Sequence, residues 1–196
     1  MAKDKKPRVS KRDLIELGVI VVIFLVIYLT GSQAEVFGRV QGLILKTGIM
    51  NASVEEDEAT IANLNFSLTD INRNEIAMSS FRGKTVFINI WATWCPPCVA
   101  EMPGINKLHN RVASEDIVFI MISQDNSLDK AYNWVQKKEF DFDVYATSNL
   151  PNQFRTGAVP STFVISPEGE LVLTKTGIAN YDTRKFEDFL LGLAQR

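Results

Sequence analysis

A chain of 196 residues, 46% hydrophobic and 22% charged, has room for one globular domain and a further segment. A formal net charge of −2 gives no basic surface of the kind that binds nucleic acid. Two cysteines in all exclude a disulfide framework, and two cysteines with one histidine, His109, fall short of the four ligands a zinc site takes. No metal and no cofactor is expected.

The charge is uneven along the chain. Residues 1–12, MAKDKKPRVSKR, carry six basic residues and one acid, whereas Leu17 to Ala34 is uncharged for 18 residues. A run close to the ~20 residues that span a bilayer, behind a basic flank, reads as a transmembrane helix with its start in the cytoplasm. A cleaved signal peptide is the rival reading, because Ser32-Gln33-Ala34 has small residues where a signal peptidase inspects. Tyr28 suits a place at the interface, and no cysteine stands nearby for a lipid anchor. This divides the chain into a basic cytoplasmic start (1–13), an anchor or signal peptide (14–34), a linker (35–60) and a folded domain (61–196). Within the linker, Val36, Val40, Leu43, Ile44 and Ile49 have a spacing that fits a helix on a membrane surface, a helical spacer or a disordered stalk. The acidic run Glu55–Glu58 reads as solvated.

In the folded domain, NLNFSL and EIAM flank the turn-rich TDINRN and predict a hairpin. TVFINIWA (Thr85–Ala92) and IVFIMIS (Ile117–Ser123) are continuous apolar runs of the kind buried on both faces of a sheet. Helices are expected from Cys95 to Val112, kinked at Pro103, and from Ser127 to Lys138. STFVIS and ELVLTK read as strands around a Pro167–Gly169 turn, and Asp182, as N-cap, opens a last amphipathic helix to Leu193. The layering is α/β.

Both cysteines lie in WATWCPPC, where a buried strand runs into a helix. A helix N-terminus stabilises a thiolate at Cys95, and the thiolate is the form that attacks a disulfide. Cys98, one turn on, is placed to resolve the mixed disulfide, so the two are expected to cycle between dithiol and disulfide. Pro96 and Pro97 suit a first helical turn but remove two N–H groups that would otherwise face the sulfur, leaving chiefly that of Cys98. Fewer donors mean a less stabilised thiolate and a more reducing pair. Glu101 follows Cys98 by three residues on the same helix face and is expected to be a half-buried carboxylate with a raised pKa, exchanging a proton with Cys98.

FINIWATWCPPCVAEMP (Phe87–Pro103), GAVPSTFVISPEGELV (Gly157–Val172) and the preceding anchor resemble the TlpA/ResA-like membrane-anchored thiol–disulfide oxidoreductases of the thioredoxin superfamily, over residues 62 to 196. The resemblance implies a thioredoxin fold, a central mixed sheet flanked by helices, here with an N-terminal hairpin and a single transmembrane helix before it. It implies that Pro160 is a cis-proline facing the cysteines, that Val159 offers its backbone to a substrate strand, and that Trp94 flanks the site while Trp91 is core. Ordinary thioredoxins carry a buried Asp where this chain has Asn89; in TlpA/ResA-like proteins a Glu at the place of Glu101 takes over. The implied function is reduction of disulfides in exported proteins, apocytochrome c among them, by a domain on the periplasmic or outer side of a bacterial cytoplasmic membrane, with re-reduction by a membrane partner of the DsbD/CcdA type. Three other readings are a dithiol oxidase with opposite electron flow, a non-catalytic peptide-binding adaptor or holdase, and a peroxiredoxin-type peroxidase. Against the last, NIWATWCPPC has no proline seven residues before Cys95.

Overall fold

The computed structural model describes residues 11–29, 33–45, 47–48, 50–52 and 60–195, and the chain divides into two units, Met1–Gln33 and Ala34–Arg196. In the first unit, helix α1 (Lys11–Leu29) presents Leu17, Ile20, Val21 and Leu25, among others, as exposed apolar side chains. Over the uncharged run the described residues form α1, to Leu29, and the start of a second helix, α2 (Gln33–Leu45). Lys11, Arg12, Asp13 and Glu16 occupy the start of α1. Its uncharged part, Leu17–Leu29, is about 20 Å long at ~1.5 Å per residue, against ~30 Å of bilayer hydrocarbon. Among the described residues no helix is long and apolar enough to cross a membrane. The Tyr28 side chain and the acidic run at 55–58 lie outside what is described.

The second unit is built on a six-stranded mixed sheet. Its strands are β1 (Thr60–Ile61), β4 (Thr85–Trp91), β5 (Ile117–Ser123), β6 (Val144–Tyr145), β7 (Ser161–Ile165) and β8 (Glu170–Thr176), in the order β1-β8-β7-β4-β5-β6. The β4–β5 and β5–β6 pairs are parallel; the other neighbours are antiparallel. Every residue of β4 is buried, as the continuous apolar run requires of a central strand. Its alternation feeds two cores. Phe87 and Trp91 pack with helices α3 (Pro96–Val112), α4 (Leu128–Lys137) and α5 (Arg184–Ala194), whereas Val86, Ile88 and Ile90 pack with Leu68, Met78 and Phe154. Leu68 belongs to the expected hairpin, β2 (Ser67–Thr69) paired antiparallel with β3 (Glu75–Ala77) as a separate two-stranded sheet. The short strands β1 and β6 have no legible sequence signal of their own; they are two-residue additions to the edges of the sheet.

One local expectation needs correction. Thr183, not Asp182, caps α5: its Oγ1 accepts from the Phe186 amide at 3.2 Å. Asp182 instead receives Arg111 at 2.8 Å and Lys107 at 3.2 Å, fastening the loop before α5 to α3. His109 is half-buried, edge-on to the Phe119 ring at 5.1 Å. Helix α3 runs on through Pro103 as a single element.

The segment read as a linker holds the most informative departure. Residues 33–45 are neither stalk nor free spacer: α2 is packed on the domain. Small residues recur at Ala34, Gly38 and Gly42, four apart and therefore on one face. A Cβ at Gly38 would lie 2.9 Å from Val99 Cγ1 and 3.0 Å from the Pro96 carbonyl oxygen, so glycine is what lets α2 approach α3 this closely. A Glu35–Lys138 ion pair at 3.2 Å ties α2 to the end of α4. Beyond α2, the Ala52 amide donates to the Asn180 carbonyl, and the Asn180 amide to the Met50 carbonyl, so the chain is stitched to the loop before α5. The opposite face of α2 leaves Phe37, Val40 and Leu43 exposed.

Replacing Gly38 by leucine should overpack this contact by about 1–3 kcal/mol. Amide exchange across α2 should then accelerate about tenfold or more, since ~1.4 kcal/mol of opening free energy is a factor of ten. Unchanged protection of α2 in Gly38→Leu would show that the helix is not seated by this contact.

Candidate active site

The cysteines lie where β4 hands over to α3. The two form a disulfide, with Cα atoms 5.3 Å apart. Cys95 is the N-cap of α3; Pro96 and Pro97 follow at positions that lack a backbone N–H, and the Cys98 amide donates to Cys95 Sγ at 3.2 Å. The sequence expectation that one amide is left to face the sulfur therefore holds in the geometry. Both sulfur-bearing residues are more enclosed than a freely reachable nucleophile implies: Cys95 is 3% exposed and Cys98 fully buried.

The loop ahead of Cys95 is held by Asp125. Its carboxylate accepts from the Thr93 amide (2.9 Å), the Thr93 hydroxyl (2.6 Å) and the Ser123 hydroxyl (3.0 Å), and pairs with Lys130 at 3.0 Å. Burial works to raise the Asp125 carboxyl, but the bonds from Thr93, Lys130 and Ser123 outweigh it and hold it below the usual carboxylate range. Nothing in the sequence flags this residue except its place two positions after a buried strand.

Across from the sulfur stands the loop before β7. The Val159–Pro160 bond is cis, as the resemblance implies, and the Val159 carbonyl oxygen lies 3.7 Å from Cys95 Sγ. The Thr156 and Ser161 hydroxyls, 2.6 Å apart, and the bond from Ser161 Oγ to the Ala158 carbonyl fix this loop from behind. Gly157 has φ 74°, a backbone region that favours glycine. Between the two loops opens a groove of about 650 Å³ lined by Trp94, Gln124, Leu150, Arg155 and Val159. Trp94 is 56% exposed at its edge, whereas Trp91 is fully buried in the core. The structure thus brings Cys95, Trp94, Val159 and Pro160 to one place.

Glu101 lies behind the sulfurs, one helical turn past Cys98. It is not half-buried but 1% exposed. Its Oε1 accepts from Asn89 Nδ2 at 2.9 Å and its Oε2 from the Ala179 amide at 3.2 Å. Burial is the dominant influence and pushes the carboxyl up to about 8; the bonds from Asn89 and Ala179 pull the other way. Asn89 also donates to Thr162 Oγ1 at 2.9 Å, linking Glu101 to the strand that follows Pro160. Sequence reasoning treats Asn89 only as a missing acid; here it is the partner of the acid that is present. The signal was available: a polar side chain inside TVFINIW must find a partner once buried. Tyr181, fully buried nearby, has its phenol raised well above the usual value, by burial first and then by the charge of Glu101.

Comparison with known proteins gives a concordant picture. Residues 61–174, which contain both cysteines and Pro160, match the model of the AhpC/TSA family. The chain belongs to the AhpC/TSA family. Among curated proteins it is similar to "Thiol-disulfide oxidoreductase ResA" of Bacillus subtilis, 30% identical over 115 residues, or 58% of this chain and 64% of that one. The Geobacillus kaustophilus protein of the same name is 30% identical over 114 residues, covering 57% and 66%. The matched region thus spans less than two thirds of the length of these relatives, 64% and 66%. Among solved structures, a putative thiol:disulfide interchange protein DsbE from Chlorobium tepidum has a TM-score of 0.61 at 21% identity, covering 70% of this chain and 98% of that one. StoA from Bacillus subtilis has a TM-score of 0.53 at 18% identity, covering 63% and 94%. The likeness to ResA-like proteins of the thioredoxin superfamily, read from the sequence, holds in these comparisons.

The raised carboxyl has a consequence for stability. Folding lifts Glu101 from its ordinary 4.5 to about 8, so between these values the folded protein binds more protons than the unfolded chain. Stability contributed by the protonated group is present below about pH 4.5 and is lost as pH rises through about 8, with a slope of up to ~1.4 kcal/mol per pH unit. Denaturant unfolding of the oxidised protein at pH 5, 6, 7 and 8 should show this decline, and Glu101→Gln should remove most of it. Equal slopes in the two proteins would mean that the carboxyl is not held protonated by burial.

Proposed function

We propose that this protein is a thiol–disulfide oxidoreductase that reduces disulfides in exported proteins. One observation carries the reading: a Cys95–Cys98 disulfide at the N-terminus of α3, its first sulfur 3.7 Å from the Val159 carbonyl beside an open groove. In the reduced state, the Cys95 thiolate attacks a client disulfide. A Cys95–client bond forms, the client S–S bond breaks, and one client sulfur leaves as a thiolate. Cys98 gives its proton to the Glu101 carboxylate and attacks Cys95; the internal disulfide closes and the second client thiolate departs with the electron pair. Trp94 and the Val159 backbone border the groove in which a client strand would lie, and Pro160 shapes that border. The names of the ResA relatives support the reaction class.

The direction of electron flow follows from the prolines. With the Cys98 amide as the near donor, the thiolate is stabilised less than at a helix start with all its N–H groups, which favours the disulfide and makes the dithiol a reductant. A peroxidase is disfavoured: the position seven residues before Cys95 is Ile88, buried in β4.

The reading extends to cellular place. The basic start, the apolar exposed α1 and the uncharged run to Ala34 support attachment to the bacterial cytoplasmic membrane, with the folded domain on the outer side. Re-reduction then calls for a membrane electron donor of the DsbD/CcdA type. Apocytochrome c is a candidate client.

Two measurements test the reaction. Cys98→Ala should accumulate mixed disulfides through Cys95 with client proteins, and Cys95→Ala should form none. The reduction potential should lie well below the about −120 mV of the oxidant DsbA. A value near that figure would reverse the assignment to oxidase, and full cellular function of Cys95→Ala would favour a non-catalytic adaptor.

A further inference from the structure

The groove beside Trp94 and Val159 is not lined by Glu101. A second cavity, of about 750 Å³, is. It lies beneath α2, and Glu101, Ala100 and Gly104 of α3 border it on one side while Gly38, Gly42 and Leu45 of α2 border it on the other. Glu101 is its buried acid, and the exposed Arg39 and Lys107 also line it. We propose that this cavity is the port through which Glu101 exchanges its proton with solvent, so that client and proton use opposite sides of the redox helix. The inference rests on the proton-transfer role proposed for Glu101.

Three observations carry it. First, the cavity has space for several water molecules and, within a largely apolar lining, polar groups that can hold them. Glu35, Lys138, Asp182 and Asn180 contribute to that lining. Trp134, also lining it, has an indole N–H with no protein acceptor among the described residues. Second, Ala179, whose amide donates to Glu101 Oε2 at 3.2 Å, lines the cavity together with Glu101, so the residue that holds the carboxyl is also a neighbour of the cavity. Third, α2 spans the cavity with glycine, not with a filling side chain. A Cβ at Gly42 would meet only the Ala100 carbonyl oxygen, at an ordinary 3.7 Å, so a larger residue there has space to grow inward.

The charged and titratable surroundings of Glu101 are then known from every side. Cys98 lies on its own helix, Asn89 and Thr162 on β4 and β7, and Tyr181 on the loop before α5. Around the cavity stand the pairs Glu35–Lys138 and Lys107–Asp182, with Arg39 on α2. In each turnover the proton leaves the Cys98 thiol for the Glu101 carboxylate, then passes to water in the cavity and to bulk solvent. No electron moves in this step.

Chemical rescue tests the route in the full-length chain. Glu101→Ala should slow disulfide reduction near neutral pH, and added formate, small enough to enter, should restore it about tenfold or more, within the range of a positioned acid–base group. Adding Gly42→Phe, which fills the cavity far from the groove, should abolish that rescue; Gly42→Leu should weaken it. Unfolding midpoints and α2 amide protection show whether each variant keeps the helix in place. Rescue that is untouched by either Gly42 variant, with α2 still protected, overturns the port, as does the absence of any rescue by formate. Full activity in Glu101→Ala alone would instead remove the role of the carboxyl itself.

Discussion

One hydrogen bond organises this site: the Cys98 amide donating to Cys95 Sγ at the first turn of α3. A helix start normally offers several free N–H groups to whatever sits before it. Here two prolines take the intervening positions, and a single short-range donor is left to set how easily the sulfur ionises. The bond has meaning only if the turn that makes it is rigid. That rigidity comes from β4, buried along its whole length, and from Asp125, which gathers the Thr93 backbone and hydroxyl into one carboxylate. The site is thus a strand end, a helix start and one buried anion holding the corner between them.

Behind the sulfur, the domain keeps a carboxyl where water would normally prefer not to leave it uncharged. Burial raises Glu101, and two donors, Asn89 and the Ala179 amide, keep it from rising further. The balance leaves the carboxyl at about 8. The same two donors connect it outward: Asn89 to Thr162 and the strand after Pro160, Ala179 to the loop that α2 and its continuation hold down. Helix α2, most of it in sequence read as a linker, therefore borders a cavity that Glu101 lines and that shares no lining residue with the groove beside Val159.

Much of this was legible in the residues. The long apolar runs of β4 and β5, the hairpin around TDINRN and the helix from Pro96 to Val112 announce themselves by period and punctuation, because their burial is two-sided or strongly faced. The cysteine pair was legible through its proline neighbours. Asp182 misled because acid before a helix has two uses, capping and pairing, and only the position of Arg111 decides between them. The docking of α2 was hidden for a different reason. Much of its buried face is written in Ala34, Gly38 and Gly42, whose smallness carries little hydrophobic signal, while Phe37, Val40 and Leu43 stay exposed. Asn89 was legible as a type but not as a partner, since contact across α3 and β4 depends on the sheet's alternation and not on sequence distance.

The most direct test of the central interaction is the ionisation of Cys95 itself. Alkylation of the reduced full-length protein by iodoacetamide across pH, with the modified residue located by peptide mapping, reads it. Cys95 should be modified first, with a midpoint closer to that of thioredoxin, near ~7, than to the ~3.5 of DsbA. Labelling of Cys98 ahead of Cys95, or a Cys95 midpoint near that of DsbA, would contradict a nucleophile steadied by a single remaining amide.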